Sequence, residues 1–565
     1  MTRYRLLPYR LYGACLLLGL LFSCGKSANA PVPPPTQPTV YPVLVSVLLE
    51  GSSLSSNRYN VSANPVLQLT LSTPVSKNSV AAALTLTTSG GLAVPLTLSY
   101  LQHDSVIVAQ PQSALPYLTK YTLQISTALQ SAAGNSLKAP FTGSFVTRLD
   151  SSDKFPRIAD SALLTLVEKQ TFSYFWDFGH PVSGMARERA SNPDLVTTGG
   201  SGFGIMALLA GVQRQFITRA QALDRISTIA GFLSTQATRY HGAFPHWMNG
   251  STGATVPFSS QDDGADLVET SYMMAGLLCA RTFFNSPSDS SEIRLRSTIN
   301  ALWNGVEWTF FTQGGQQVLY WHWSPDYGWS SNQQINGWNE AMIVYILAAS
   351  SPVDSNRIAK TVYDNGWAAG GSIKNGNAYF GITLPLGPAQ GGPLFFAHYS
   401  FLGINPTGLS DGYANYWTQN TAHTMINYQY CLANPQGYYG YSPLCWGLTA
   451  SDEQKGYSAH APGADDGVIS PTAAISSMPY APAQSMDALR FFYYTLGDRT
   501  WGTYGFRDAF NLSTPWFDQD YLAIDQGPEV VMIENYRSGL IWQLLMGCPE
   551  IKNGLRALGF QGPSL

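Results

Sequence analysis

The sequence predicts a mainly α protein, an (α/α)6 barrel behind a small antiparallel β-sandwich, and three observations lead there. Between residues 41 and 149 apolar residues recur with period two in short runs broken by Gly, Pro, Ser and Asn. From about 150 to the end the apolar spacing becomes helical. The helical segments, about a dozen by their spacing, are joined by long Gly, Pro and aromatic loops at 241–261, 314–335, 369–417 and 436–482. Loops of that length are uncommon unless they have work to do. Paired helices closed into a toroid would gather them at one end around a cleft. A helical-repeat binding protein would have a similar helix count, but no repeat of 34 or 40 residues is visible.

Residues 1–24 read as an export signal. Arg3, Arg5 and Arg10 precede an apolar run that ends in Leu21-Phe22-Ser23-Cys24, too short to span a bilayer comfortably as a mature helix. The last four residues resemble a bacterial lipoprotein box, which would make Cys24 the lipidated first residue of an exported, envelope-anchored protein in the periplasm or at the outer membrane. Simple signal cleavage nearby is the alternative. Residues 25–40 contain "APVPPPTQP", a proline-rich spacer that would hold the folded part away from its anchor.

In 41–149 the runs "PVLQLTLS", "LTLTTS", "VPLTLSY", "DSVIVAQ", "TKYTLQIS" and "TGSFVTRL" predict the strands of the sandwich. In 150–565, Leu163, Leu164, Val167, Thr171 and Tyr174 share one helical face behind Asp160, and "TRAQALDRISTIAGFLSTQ" opens a second helix at Thr218. Of the cysteines beyond Cys24, Cys279, Cys431, Cys445 and Cys548 form no CxxC pair, so no zinc site is suggested; one or two disulfides are compatible with the sequence, and none can be assigned from it. Cys279 falls on the apolar face of a helix, where a buried thiol is expected.

Charge narrows the function. Lys and Arg number 31 against 35 Asp and Glu, for a formal net charge of −4, and no basic block follows the first ten residues. Nucleic acid is excluded as a partner by the lack of a concentrated basic surface, and membrane contact is expected through the lipid anchor alone. The 14 Trp among 13% aromatics suit a ligand with flat apolar faces, such as a sugar.

Against this sparing use of charge, "SSQDDGADLVETSYMMAGLLCA" sets Asp262, Asp266 and Glu269 at i, i+4 and i+7 before an apolar run. A helix beginning near 262 would carry all three on one face, with about 10 Å of rise between the ends. Asp266 and Glu269 also have the spacing of an N-cap and its N3 partner, which would leave Asp262 outside the helix. A calcium loop is excluded by the absence of D-x-D-x-D-G with a distant Glu. Carboxylates gathered at a cleft have coupled, raised pKa values, as an acid and base pair for glycoside hydrolysis requires. Two neighbouring loops add sugar-binding chemistry: "HGAFPHWMNGSTG" with His246, Trp247 and Asn249, and "YWHWSPDYGWSSNQQINGWNEAMIVYILA" with Trp321, His322, Trp323, Trp329, Asn336, Trp338 and Glu340. Taken singly, each aromatic is as well explained by core packing.

Together "VTTGGSGFGIMALLAGVQRQFITRAQALDRI", "FPHWMNGSTG", "DDGADLVETSYMMAGLL", "NGWNEAMIVYILAAS", "DDGVISPTAAISSMPYAP" and "YGFRDAFN…DYLAIDQGPEVVMIENYRSGLIW" resemble the glycoamylase-like domain of bacterial carbohydrate enzymes, nearest to glycoside hydrolase family 144, the β-1,2-glucanases. Residues 41–149 resemble a bacterial Ig-like domain in the order of their features, including "LTKYTLQIS", "AAGNSL" and "FVT". The resemblance implies an (α/α)6 barrel, hydrolysis of β-1,2-glucan with inversion, and no required metal or cofactor; a monomer is expected. It implies Asp262, Asp266 and Glu269 as the acidic cleft, with Glu340 as the opposing acid, and leaves chain-end or internal cutting open. Glu269 and Asp262 lead as acid and base, with Glu340 as alternative partner and Asp266 tuning their protonation. Glu529, Glu534 and Arg537 are candidate substrate contacts in the later motifs, where Asp465 and Asp466 also sit; Glu534 and Arg537 are also spaced for a local i, i+3 ion pair, and "APGADDG" reads equally as a turn that uses its Asp side chains structurally. Two rival functions remain: a non-catalytic glycan-binding lipoprotein, and a hydrolase of this fold acting on another glucan.

Overall fold

The computed structural model describes residues 39–55 and 57–565. The signal segment, Cys24 and nearly all of the 25–40 spacer lie outside the described residues.

The first folded unit is a sandwich of two sheets. One has the order β2 (Ser52–Ser53), β1 (Leu44–Leu49), β4 (Leu67–Leu71), β7 (Val106–Pro111), β6 (Leu96–Leu101), all antiparallel. The other runs β3 (Arg58–Val61), β9 (Phe141–Thr147), β8 (Lys120–Ile125), β5 (Leu84–Thr88), with β3 and β9 parallel. Alternation buries Leu67, Leu69 and Leu71 of β4 against Leu84, Leu86, Tyr121, Leu123 and Ile125 from the other sheet, as period-two patterning requires. A short helix, α1 (Lys77–Ala83), leads into β5.

The rest is helical. α2 (Asp160–Trp176) buries Leu163, Leu164, Val167, Thr171 and Tyr174, the face read from the sequence. α4 (Arg219–Thr235) opens on a reciprocal capping box between Thr218 and Gln221. α4 and α6 (Ser290–Asn304) each bury one face. By contrast α3 (Thr198–Gln213), α5 (Leu267–Phe283) and α7 (Met342–Ser350) are buried nearly all round, as their scarcity of charge demands. α8 (Tyr416–Ala433), α9 (Pro471–Ser476), α10 (Pro482–Arg490), α11 (Ala523–Arg537), α12 (Leu540–Met546) and α13 (Pro549–Leu558) are the remaining α-helices of six residues or more.

α3 and α5 touch backbone to backbone. A Cβ on Gly276 would stand 2.2 Å from the Gly202 carbonyl oxygen, and one on Gly202 would stand 2.3 Å from that of Tyr272. The "GGSGFG" segment is therefore a packing surface, and its closeness sets the start of α5 against the start of α3. The two units also share apolar packing. Leu118 and Val146 of the sandwich join a core with Leu163, Tyr430 and Trp446, Tyr59 stacks on Tyr439 at 5.5 Å, and the Leu149 N–H donates to the Tyr439 hydroxyl at 3.0 Å. Cys279, Cys431, Cys445 and Cys548 are all buried free thiols.

Candidate active site

A cavity of about 410 Å³ opens among the loops that precede the buried helices. Its lining includes Glu269 and Thr197 from the starts of α5 and α3, Glu340 just before α7, and Glu188 with Arg189. His246, Trp247, Phe258, Trp321, Tyr399 and Tyr457 supply aromatic surface. Such a mixture of flat apolar faces and convergent acids suits a sugar chain and its hydrolysis.

The acidic segment does not form the stripe on one helical face that a start near 262 would give. α5 begins at Leu267 and Asp266 is its N-cap: Oδ1 accepts from the N–H groups of Val268 and Glu269, both at 2.9 Å. Its other oxygen accepts from His246 Nδ1 at 3.1 Å and Trp321 Nε1 at 3.3 Å. With both oxygens engaged, Asp266 holds other groups in place and is not among the residues lining the cavity. Asp262 lies before the helix in a turn bridged to Ser259, 3.2 Å from His322 Nδ1, and does not line the cavity either. Tertiary pairing explains the late start. Ala265–Asp266 forms a short ladder with His322–Trp323, and the Asp266 N–H donates to the Phe244 carbonyl, so the backbone is extended there.

Glu269, at N3, does not reach back to complete a capping box. Its Oε2 accepts from the Gly199 N–H at 2.6 Å and the Thr197 hydroxyl at 3.3 Å. A Cβ at 199 would stand 2.6 Å from that oxygen, so the close approach needs glycine. The carboxylate thus rests on the N-terminus of α3, where N–H groups and the helix dipole favour negative charge.

Burial raises the Glu269 pKa, with the Asp266 charge adding and His246 opposing. Glu340 has no cation beside it. Burial, with the charges of Glu269 and Asp266, pushes its carboxyl up to about 7, and its backbone carbonyl is fixed by the hydroxyls of Tyr272 and Ser400. For His246, burial opposes the charged form but Glu269, Asp266 and Asp262 outweigh it and raise the imidazole to about 9. His322 is raised in the same way by Asp262 and Asp266. Asp266 is held low: burial works against its charge, and His246 and His322 prevail. His246, Asp262 and Asp266 come close enough to share a metal ion; the imidazoles of His246 and His322 stand against these acids.

Arg189 organises another acidic group at the cavity, one that sequence reasoning missed. Its guanidinium donates to Glu188 at 2.9 Å and to Asp452 at 2.9 Å, and Asp520 lies 3.8 Å away. Asp508, Asp518 and Asp525 adjoin this group. Burial, with carboxylate neighbours adding, raises Asp508 well above the ordinary range, Asp518 to about 6 and Asp525 to about 8. The only sequence signals were the charges of "ARERA" and the Asp-rich "DQDYLAID" in a chain otherwise poor in charge.

Of the expected sugar contacts, His246, Trp247 and Trp321 line the cavity, with Phe258 stacked on His246 at 4.3 Å. The others are placed elsewhere. Asn249 uses its side-chain oxygen to accept from the N–H groups of Ser251 and Thr252 and so closes a turn. Trp338 is buried and donates to His423 Nδ1. Trp323 packs against His241 and Phe310; Trp329 packs on Phe310 and lines a separate surface hollow with Glu307 and Asn356.

Glu529, Glu534 and Arg537 face α2 and α3 instead of the cavity. Glu529 accepts from the Thr171 hydroxyl at 2.8 Å, and burial pushes it up to about 8. Glu534 pairs with Arg214 at 2.5 Å and Arg537 with Glu168 at 2.7 Å, so the local i, i+3 pair is replaced by ties between helices. Asp465 accepts from the Tyr441 hydroxyl and the Gly467 N–H, a structural turn.

Comparison with known proteins agrees with a carbohydrate-enzyme architecture. A glycoamylase family model, described as "Putative glucoamylase", matches residues 332–549, and a bacterial Ig-like domain model matches 46–147. An endo-β-1,2-glucanase from Chitinophaga pinensis, solved with sophorotriose and glucose, is 50% identical with a TM-score of 0.70, over 72% of this chain and 100% of that one. A β-1,2-glucanase structure from Parabacteroides distasonis is 36% identical with a TM-score of 0.69, over 92% of this chain and 73% of that one. A curated exo β-1,2-glucooligosaccharide sophorohydrolase (non-reducing end) from P. distasonis is 43% identical over 423 residues, 71% of this chain; the match spans 58% of that relative's length. The chain belongs to the glycoamylase-like family, in its glycoside hydrolase family 144 branch, and carries an N-terminal bacterial Ig-like domain.

Proposed function

We propose that this protein hydrolyses β-1,2-glucan with inversion at the anomeric carbon. The observation that carries the reading is the pair of buried acids at one cavity: Glu269, seated on the α3 N-terminus, and Glu340, without a counter-charge. Glu340, protonated near neutrality, gives its proton to the glycosidic oxygen as the C1–O bond breaks. Glu269, whose ionised form accepts from Gly199 and Thr197, takes a proton from the water that attacks C1 from the other side. This revises the pairing of Glu269 with Asp262, because Asp262 is occupied beside His322. Inversion needs carboxyl groups about 6.5–9.5 Å apart to admit that water. The all-round burial of α3, α5, α7, α9 and α11 supports reading them as inner helices of an (α/α)6 barrel.

Incubation with linear β-1,2-glucan and a panel of other glucans, followed by product analysis, tests the assignment. Sophorose alone indicates chain-end action and a ladder internal cutting; release only from another glucan moves the substrate, and no release from any overturns the enzyme. We also propose export and lipid anchoring at Cys24, on the Arg-rich and apolar leader, "LFSC" and the proline spacer. Among the described residues no helix is long and apolar enough to cross a membrane. Cys24→Ala should release the protein to the soluble fraction, and unchanged membrane association would remove the anchor.

A further inference from the structure

The Arg189 side of the cavity holds more buried acid than its cation can balance. Asp452 stands in β10 (Ala450–Glu453), which pairs with β11 (Gly456–Ala459); Asp508 and Asp518 flank the hairpin of β12 (Phe510–Asn511) and β13 (Trp516–Phe517). Each of the three brings a carboxylate oxygen within 4.8 Å of the other two. Asp508 is 1% exposed. Its Oδ2 accepts from the Asp452 N–H at 2.6 Å, and Oδ1 accepts from no N–H or hydroxyl, the neighbour of this side chain being the Asp525 carboxyl. Asp518 accepts from the Gln519 N–H through Oδ1, and its Oδ2 likewise accepts from no N–H or hydroxyl, with the Asp452 carboxyl beside it. Among the described residues the salt bridge to this trio comes from Arg189 alone, on Asp452, and the same guanidinium also serves Glu188. Buried carboxylates without compensation are costly, and no imidazole stands here to play the part of His246 and His322.

We propose that Asp452, Asp508 and Asp518 form a structural site for a hard divalent cation, Ca²⁺ by preference, which ties the β10–β11 hairpin to the β12–β13 hairpin beside the cavity. A span of 4.8 Å is about twice a Ca–O bond of 2.3–2.6 Å, so one ion can reach all three oxygens. The donors are all carboxylate, the type that hard cations take, with none of the thiolate or imidazole that zinc and copper select. Ca²⁺ also tolerates the irregular geometry of ligands from two hairpins better than Mg²⁺ does. The β10–β11 hairpin contributes Ala450, Tyr457 and Ala459 to the cavity lining, so the ion shapes that wall and takes no part in bond breaking.

The test uses the full chain, stripped with EDTA and dialysed into chelator-free buffer. Calorimetric titration with CaCl₂ should show one Ca²⁺ per chain, Tb³⁺ should give sensitised emission that Ca²⁺ quenches by displacement, and saturating Ca²⁺ should raise Tm by about 3 °C over EDTA. Asp508→Asn and Asp518→Asn should each abolish the binding heat and the Tm difference. Asp508→Asn keeps an oxygen for the Asp452 N–H; should it fail to fold, Asp518→Asn, at a half-buried position, carries the test. No binding heat, no Tb³⁺ emission and identical Tm values with Ca²⁺ and EDTA would overturn the site. So would Ca²⁺ binding that survives in Asp518→Asn.

Discussion

Around Asp266 and around Asp508 the chain buries carboxylates in similar numbers, yet Asp266 is held low while Asp508 is pushed up. Near Asp266, two imidazoles stand among the acids, an aspartate caps a helix and a glutamate rests on another helix's N-terminus; Asp266 is held below its usual pKa and both histidines above theirs. Near Asp508 a single guanidinium is shared between Glu188 and Asp452, and Asp508, Asp518 and Asp525 are pushed up. What decides the state of a buried acid here is the donor set around it, more than the number of acids. Glu340 lies between these extremes, without a cation but facing the cavity, and so suits the transfer of a proton.

The largest effect should come from the acids that line the cavity. Glu340→Gln and Glu269→Gln should each lower turnover by about 10²–10⁴-fold with the fold intact by circular dichroism, while Asp262→Asn, at a residue outside the lining, should cost far less. An equal loss in all three would return Asp262 to the reacting pair. In the unmodified enzyme kcat/KM should fall as pH rises through about 7, where Glu340 loses its proton; a flat profile from pH 6 to 8 would exclude Glu340 as the acid.

Next in size is the loss of a counter-charge. Arg189→Met should destabilise by about 2–4 kcal/mol in urea unfolding, because it strands Glu188 and Asp452 partly buried without a partner. Gly276→Ala should cost about 1–3 kcal/mol, since its methyl would meet the Gly202 carbonyl at 2.2 Å. It should also lower turnover, by shifting Glu269 relative to Gly199.

The smallest effect separates the two acidic groups by pH. His246 is raised from 6.5 to about 9, so its imidazolium contributes stability that is complete below about pH 6.5 and lost as pH rises through about 9. Tm should decline across that window. Asp266→Asn, which retains a capping oxygen but removes the charge beside His246, should flatten the decline; an unchanged slope would mean that another group sets it.

Much of this was legible in the chain. The family was legible in the resemblance of six linked motifs, and the alternating strands of the sandwich, the buried face of α2 and the Thr218 cap follow from local periodicity and from short-range hydrogen bonding that neighbouring residues specify. His246 and Trp247 were legible too, as aromatic and polar groups in a loop ahead of an apolar helix. Trp338, Glu529, Glu534 and Arg537 were less so, because a tryptophan or a charge has the same local signature whether it faces a cavity or another helix.

From residue order alone came the helical period, the acidic motif at 262–269 and the glycines of α3, since these depend on contacts a few residues apart. The tertiary structure alone decided that α5 starts at Leu267, because the ladder with His322–Trp323, far along the chain, holds Ala265–Asp266 extended. It also decided that Glu269 meets Gly199, that Glu340 shares its cavity, and that Arg189 gathers Asp452 and Asp520. Those pairings join segments tens to hundreds of residues apart, and the balance of desolvation against counter-charge that sets each acid's protonation exists only once packing has brought them together.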